Sequence, residues 1–293
     1  MALFLYIHLV CLINFLFLLT YDGESRCKVH TIKKGECKSM DNNELAMIQN
    51  NLKMLKQPTG QLKTAYNHNS GLIRLLKTIN TLMFHQGQSG IAKGHMALPL
   101  SACGLYRACG KRFIMKYSIQ TTKRLINLLC VAGAIKVLSW GDLPQTEKKQ
   151  AKYKHIYYQC LDLREADFSR VSGMDYNTAL SYASVATCYG KELADNSFSN
   201  IKTKATRKSF DGLGLESFIN KVKEQGIVTY QDAANLLKET QHEFKYGTKW
   251  FRESLKALFI MGYFDGRLEL TTYAKSGGKG LHVTQSTKVI IAS

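Results

Sequence analysis

Few side chains in this chain stand where a reaction would need them. Cys27, His30 and Cys37 offer thiolate and imidazole ligands, but a structural zinc takes four ligands in paired close spacing, and no fourth stands nearby. Tyr157 and Tyr158 are phenols of the type that attack phosphodiesters in strand transfer. That chemistry needs a histidine pair to hold a metal, and no H-x-H occurs, so the two tyrosines are read as strand residues. His85 and His95 have no acidic partner in local sequence. Gly87, Gly90, Lys93 and Gly94 suggest a phosphate loop, but neither the G-x-x-x-x-G-K-[ST] order nor a clear preceding strand accompanies them. H-E-x-x-H and G-x-S-x-G are also missing. The expectation is a non-enzyme with no cofactor and no metal site.

What remains is charge. Lys and Arg number 40 against 22 Asp and Glu, a net charge of +18 and a pI near 9.5. An excess of that size favours a polyanionic partner, either nucleic acid or an acidic membrane surface. Its most ordered part is residues 249–290. Phe251, Leu255, Leu258, Phe259 and Gly262 recur at helical spacing, and Lys249, Arg252, Glu253 and Lys256 fall on the opposite face. Gly262 suits a left-handed helix end, after which Arg267 to Thr271 alternates as a strand. Lys275, Ser276, Gly277, Gly278, Lys279 and Gly280 read as a basic turn, with a return strand beginning at Leu281, His282, Val283 and Thr284.

Two helices are expected upstream. Leu215, Phe218, Ile219 and Val222 mark the first, ending at Gly226. Ile227 to Thr229 is a short strand, and Thr229 with Asp232 opens the second helix, burying Ala233, Leu236 and Leu237. Helix, short strand, helix, turn, helix, hairpin resembles the winged helix-turn-helix superfamily. The resemblance covers about the last quarter of the chain and rests on element order and charge placement. It implies that the third helix enters a DNA major groove while the hairpin touches backbone or minor groove.

The same order recurs earlier. Leu72, Leu75, Leu76, Ile79, Leu82 and Met83 mark a helix, residues 87–94 a loop, and residues 98–109 a second helix ended by Gly110. Ser118 caps a third, burying Ile126, Leu129 and Cys130 and turning Gln120, Thr121, Lys123, Arg124 and Asn127 outward. This helix aligns without gaps with the later one at an offset of 129, the interval from Gly133 to Gly262. Ile135 to Leu138 is the expected wing strand, residues 139–151 its tip, and Tyr153 to Leu163 the alternating return. Between the two halves, Asp175 to Tyr189 reads as a helix and residues 196–210, with Lys202, Lys204, Arg207 and Lys208, as a basic linker.

The fold class expected is therefore mainly α with small β-hairpins (α+β), as two tandem winged-helix domains plus an N-terminal apolar segment. The divisions are 1–39, an apolar segment and basic tail; 40–70, a helical lead-in over Asp41 to Leu55; 71–164; 165–213; and 214–293. Met1 to Thr20 stays open among a membrane anchor, a mis-called start and a secretory signal. Eight cysteines without C-x-x-C spacing fit a reducing compartment, so the body is expected in the cytoplasm, membrane-associated only if residues 1–20 anchor it. Tandem modules, length and basicity resemble plasmid and phage replication initiators. That resemblance implies double-stranded DNA as partner, a possible homodimer, and contacts from Gln120, Thr121, Lys123 and Arg124 in one module and Lys249, Arg252, Lys256, Lys275 and Lys279 in the other. A transcriptional regulator and a membrane-anchored basic scaffold are the alternatives.

Overall fold

The computed structural model describes residues 42–88, 97–98, 105, 118–138, 157–198, 207–277 and 281–293. Over these the chain is mixed α/β, mostly helical, with two three-stranded antiparallel sheets. Helices α1 (Asn42–Lys56), α2 (Gly60–His68) and α3 (Ser70–Gln88) come first, then β1 (Ala97–Leu98), α4 (Ile119–Val131), β2 (Ile135–Leu138) and β3 (Tyr157–Cys160). Leu72, Leu75, Leu76, Ile79 and Met83 form one buried stripe of α3, the outcome that i, i+3, i+4 spacing dictates. Leu105, the described residue between β1 and α4, is helical and fully buried in the same core.

The strand order is β1–β3–β2, so the last strand lies in the middle. Paired on both edges, β3 buries Tyr157 and Tyr158 alike, and the in-and-out alternation expected across Tyr153 to Leu163 is absent at the tyrosines. β1 also corrects the expectation that a helix begins at residue 98, and Gly87 lies in the last turn of α3 rather than in a loop.

A connector follows: a 3-10 turn (Phe168–Val171), α5 (Tyr182–Tyr189) and α6 (Lys191–Ser197). The helix expected from Asp175 starts only at Tyr182. The Asp175 carboxylate accepts hydrogen bonds from the Asn177 amide and the Thr178 hydroxyl, holding those residues in a turn that competes with helix. Ser181 and Ser184 then form a reciprocal capping box. α5 serves two cores at once. Tyr182, Val185, Ala186 and Tyr189 face the first, while Ala183 and Cys188 face the second.

The second core is built by α7 (Gly212–Gln225), β4 (Ile227–Thr229), α8 (Tyr230–Thr240), α9 (Thr248–Ile260), β5 (Leu268–Thr272), the single turn α10 (Tyr273–Ser276) and β6 (Lys288–Ala292). Its strand order, β4–β6–β5, again puts the last strand in the middle. Side chains of Asp211 and Thr229 cap α7 and α8 by accepting from the Gly214 and Asp232 amides. At Gly214 a Cβ would stand 2.2 Å from the Thr240 carbonyl oxygen, so only glycine lets α7 approach the end of α8 this closely. The return strand is not at Leu281 to Thr284 but at Lys288 to Ala292. That strand pairs with β4 on one edge and β5 on the other, and the adjacent Val289 and Ile290, which point to opposite faces, are both fully buried.

Among the described residues no helix is long and apolar enough to cross a membrane. Met1 to Thr20, the Cys27, His30 and Cys37 group and residues 139–151 lie outside the described residues.

A buried amide pair ties α1 to the end of β3. The Asn51 side chain donates to Asn80 Oδ1 (3.1 Å) and to the Leu161 carbonyl (2.8 Å), and it accepts from the Leu163 amide (3.0 Å). Asn80 in turn donates to the Leu76 carbonyl at 2.9 Å. Asn51→Leu strands several of these groups away from water, and urea unfolding should show a loss of about 2–4 kcal/mol. Exposed Asn50→Ala in the same helix should change stability by less than about 0.5 kcal/mol.

Candidate nucleic-acid interface

α9 begins after Gly247, with no side-chain cap, and ends at Gly262, whose φ of 76° makes the reversal into the next turn. Phe251, Leu255 and Leu258 bury one stripe in the second core. A second stripe is buried by the connector: the Ser254 hydroxyl donates to Ser181 Oγ at 3.1 Å, and Ile260 and Met261 reach the first core. With two sides covered, Lys249 and Arg252 remain exposed, and Glu253 and Lys256 half-buried. The Arg252 carbonyl accepts a 2.6 Å hydrogen bond from the Tyr230 hydroxyl, fixing this face to the start of α8. Burial pushes that phenol up to about 12, so it stays protonated.

Lys256 is less free than its sequence position implies. Burial raises the Asp175 carboxyl, but hydrogen bonds from Thr178 and Asn177 and the charge of Lys256 outweigh it and hold it below the usual range. The turn at 175–178 thus leans toward α9. It also meets α4, where Arg124 donates to the Asn177 carbonyl at 3.4 Å.

Along α4, Gln120 and Lys123 are exposed and Thr121 and Arg124 half-buried. The Ser118 hydroxyl accepts from the Thr121 amide, as expected of a cap. From Leu125 onward nearly every side chain is buried, because α6 packs against both this helix and β2 while α3 covers it as well. Only the first two turns of α4 face solvent, which sequence spacing alone does not reveal.

On the second hairpin Lys275 is exposed in α10, and Lys279 lies outside the described residues. Lys288 is exposed at the start of β6, a cation that a return strand placed at Leu281 leaves unassigned. The nine candidate residues therefore divide into Lys249, Arg252, Lys275, Gln120 and Lys123 in the open, Lys256 and Arg124 against the connector, and Thr121 half-buried beside its cap Ser118, with Lys279 undescribed.

Burial pushes the Cys130, Cys160 and Cys188 thiols up to about 12, far from the thiolate form at neutral pH. Tyr158 is raised further by its burial, and Tyr157 is also buried. Among the described residues no group of three or more His, Cys, Asp or Glu side chains could hold a metal ion. The chain matches no protein-family model, no curated protein and no solved structure.

Because the folded Asp175 carboxyl lies below its unfolded value, its contribution to stability is present above the ordinary aspartate range. It is lost as pH falls through the folded value. The melting temperature of the protein should exceed that of Asp175→Asn at neutral pH, and the gap should close below about pH 4. Lys256→Ala should raise the Asp175 titration point seen by carboxyl NMR.

Proposed function

We propose that this chain binds double-stranded DNA through two winged-helix modules and serves replication initiation on a plasmid, phage or other mobile element. Supporting the architecture, each half runs helix, strand, then helix and hairpin, with α8 between strand and last helix in the second half and the helical residue Leu105 at that place in the first, and each sheet has its last strand in the middle. Both third helices stop at a left-handed glycine, at positions 129 residues apart. The observation that carries the reading is the solvent-facing side of α9, where Lys249 and Arg252 stand exposed on a helix otherwise covered, with Lys275 exposed on the adjoining hairpin.

In this reading α9 is the principal reading head. Arg252 reaches base edges or phosphate, Lys249 neutralises phosphate, and Lys275 with Lys279 holds the flanking backbone. The first module contributes through Gln120 and Lys123 at the start of α4, a smaller contact. Charges that neutralise phosphates release counterions, so affinity falls steeply with salt.

Fluorescence anisotropy of the full chain on duplexes from its own genomic neighbourhood tests this. Arg252→Ala should weaken binding by about 1–3 kcal/mol, and Lys275→Ala should lower the slope of log K against log salt by about one. Lys123→Ala should have the smaller effect of a peripheral phosphate contact. If neither Arg252→Ala nor Lys123→Ala alters binding, both proposed reading heads are removed. Footprints on origin repeats support initiation, and footprints confined to a promoter replace it with transcriptional regulation.

A further inference from the structure

The turn between α8 and α9 builds an aromatic surface that the duplex reading does not use. Tyr246 stacks on Trp250 with ring centres 4.4 Å apart and planes inclined by 28°, and Phe244 stacks on the same tryptophan at 5.4 Å and 28°. Behind them Phe210 touches both Phe244 and Trp250, at 5.2 and 5.8 Å, and Phe251 meets Trp250 edge-on at 5.0 Å. The array is rooted in the second core at one side and open at the other, where Tyr246 is 39% exposed.

A cleft of about 330 Å³ opens against this array, its far wall made by residues 180–183 and Phe198. That is the low end of the range for small-ligand sites and room for one planar base. Tyr182 and Phe244 are shared with a larger hollow of about 670 Å³ that carries Lys191, Arg207 and Lys208. Asp211 and Glu243 also line this hollow, but Asp211 caps α7 and Glu243 pairs with Lys208 at 2.7 Å. Arg207 pairs with Asp195 at 3.4 Å. Lys245 and Lys249 are exposed and adjoin Tyr246 and Trp250 in the chain.

We infer that this cleft binds single-stranded nucleic acid, with an unpaired base stacked on Tyr246 and the adjoining phosphates passing Lys245 and Lys249. Stacked rings open at one edge and bordered by lysines are what a strand without a partner recognises. Every base has a π-face, and stacking on an aromatic side chain tolerates any sequence. A duplex cannot use such a site, since its bases are already stacked on one another. An apolar peptide would gain nothing from the flanking cations, and on a chain of net charge +18 a polyanion is favoured over it. The inference does not require that α9 reads duplex DNA.

The full chain, titrated into labelled oligodeoxyuridylate and oligouridylate of about twenty nucleotides and into a duplex, tests it. Tyr246→Ala should weaken binding to the single strand at least about fivefold, and Tyr246→Phe should keep it within about twofold, since the ring and not the hydroxyl stacks. Duplex affinity should hold within about twofold in both variants. Because Tyr246 is exposed, unchanged melting curves certify the fold. Tighter binding of one strand type names DNA or RNA as the ligand through the 2′-hydroxyl. No binding of either strand by the unaltered protein, no loss in Tyr246→Ala, or a parallel loss of duplex affinity would each overturn the site, whereas loss of duplex binding in Arg252→Ala alone leaves it intact.

Discussion

At the end of each third helix the chain reverses direction at once, and the reversal requires a residue at positive φ. Gly133 and Gly262 sit at 72° and 76°. The hydrogen bonds around them correspond one for one: Gly133 to the Cys130 carbonyl and Ala134 to that of Leu129, Gly262 to Phe259 and Tyr263 to Leu258. This paired closure satisfies carbonyls that a helix end would otherwise leave orphaned, and a side chain at the glycine would be strained. At Gly262 a Cβ would also stand 2.8 Å from an Asp265 carboxylate oxygen. The angle at which helix hands over to strand fixes which stripe of α4 or α9 meets its sheet. The burial of Ile126 and Leu129, or of Leu255 and Leu258, follows from that angle together with apolar spacing.

The two halves diverge just past the glycine. In the first, Ile135 starts β2 directly; in the second, a turn through Phe264 and Arg267 intervenes before Leu268. The gapless offset of 129 therefore describes the helices and their ends but not the hairpins. Phe264 uses the extra residues to bury its ring against Phe218 and Phe259. Arg267 pairs with Glu216 at 2.7 Å and donates to the Tyr263 carbonyl at 2.8 Å, so the longer turn is held against α7.

How much of this was legible depends on whether the cause was local. Helix spans over 42–56, 70–88, 119–131, 212–225, 230–240 and 248–260 follow from apolar periodicity and from caps such as Ser118, Thr229 and Gly226, all of which act within one turn. The return strands were harder, since Leu281 to Thr284 alternates as well as a strand should, yet Lys288 to Ala292 wins by fitting between two partners. α6 was not legible at all: KELADNS offers only Leu193 and Ala194 as apolar residues, and α4 and α5 complete its environment. For the candidate interface, sequence spacing places Lys249 and Lys256 on one face as equals. The half-burial of Lys256 beside Asp175 comes from a segment some eighty residues upstream, and no window along the helix contains that information.

Charge placement gives the connector its meaning. Among the described residues the ion pairs, Arg164 with Asp162, Arg170 with Asp167, Arg207 with Asp195, Lys208 with Glu243, Lys221 with Glu239 and Arg267 with Glu216, lie in the connector or join α7 and α8 to their surroundings. None of them draws on Lys249, Arg252 or Lys275. A chain with 22 acidic residues for 40 basic ones must leave cations unmatched somewhere, and unmatched cations repel one another in the compact state. Spreading them evenly would reduce that repulsion. Lys249, Arg252 and Lys275 are instead held exposed on one helix face and its hairpin, where Glu253 is half-buried, while Asp175, Asp211 and Asp232 serve turns and caps. The same arrangement leaves Lys245 and Lys249 exposed and next in sequence to Tyr246 and Trp250 of the aromatic stack.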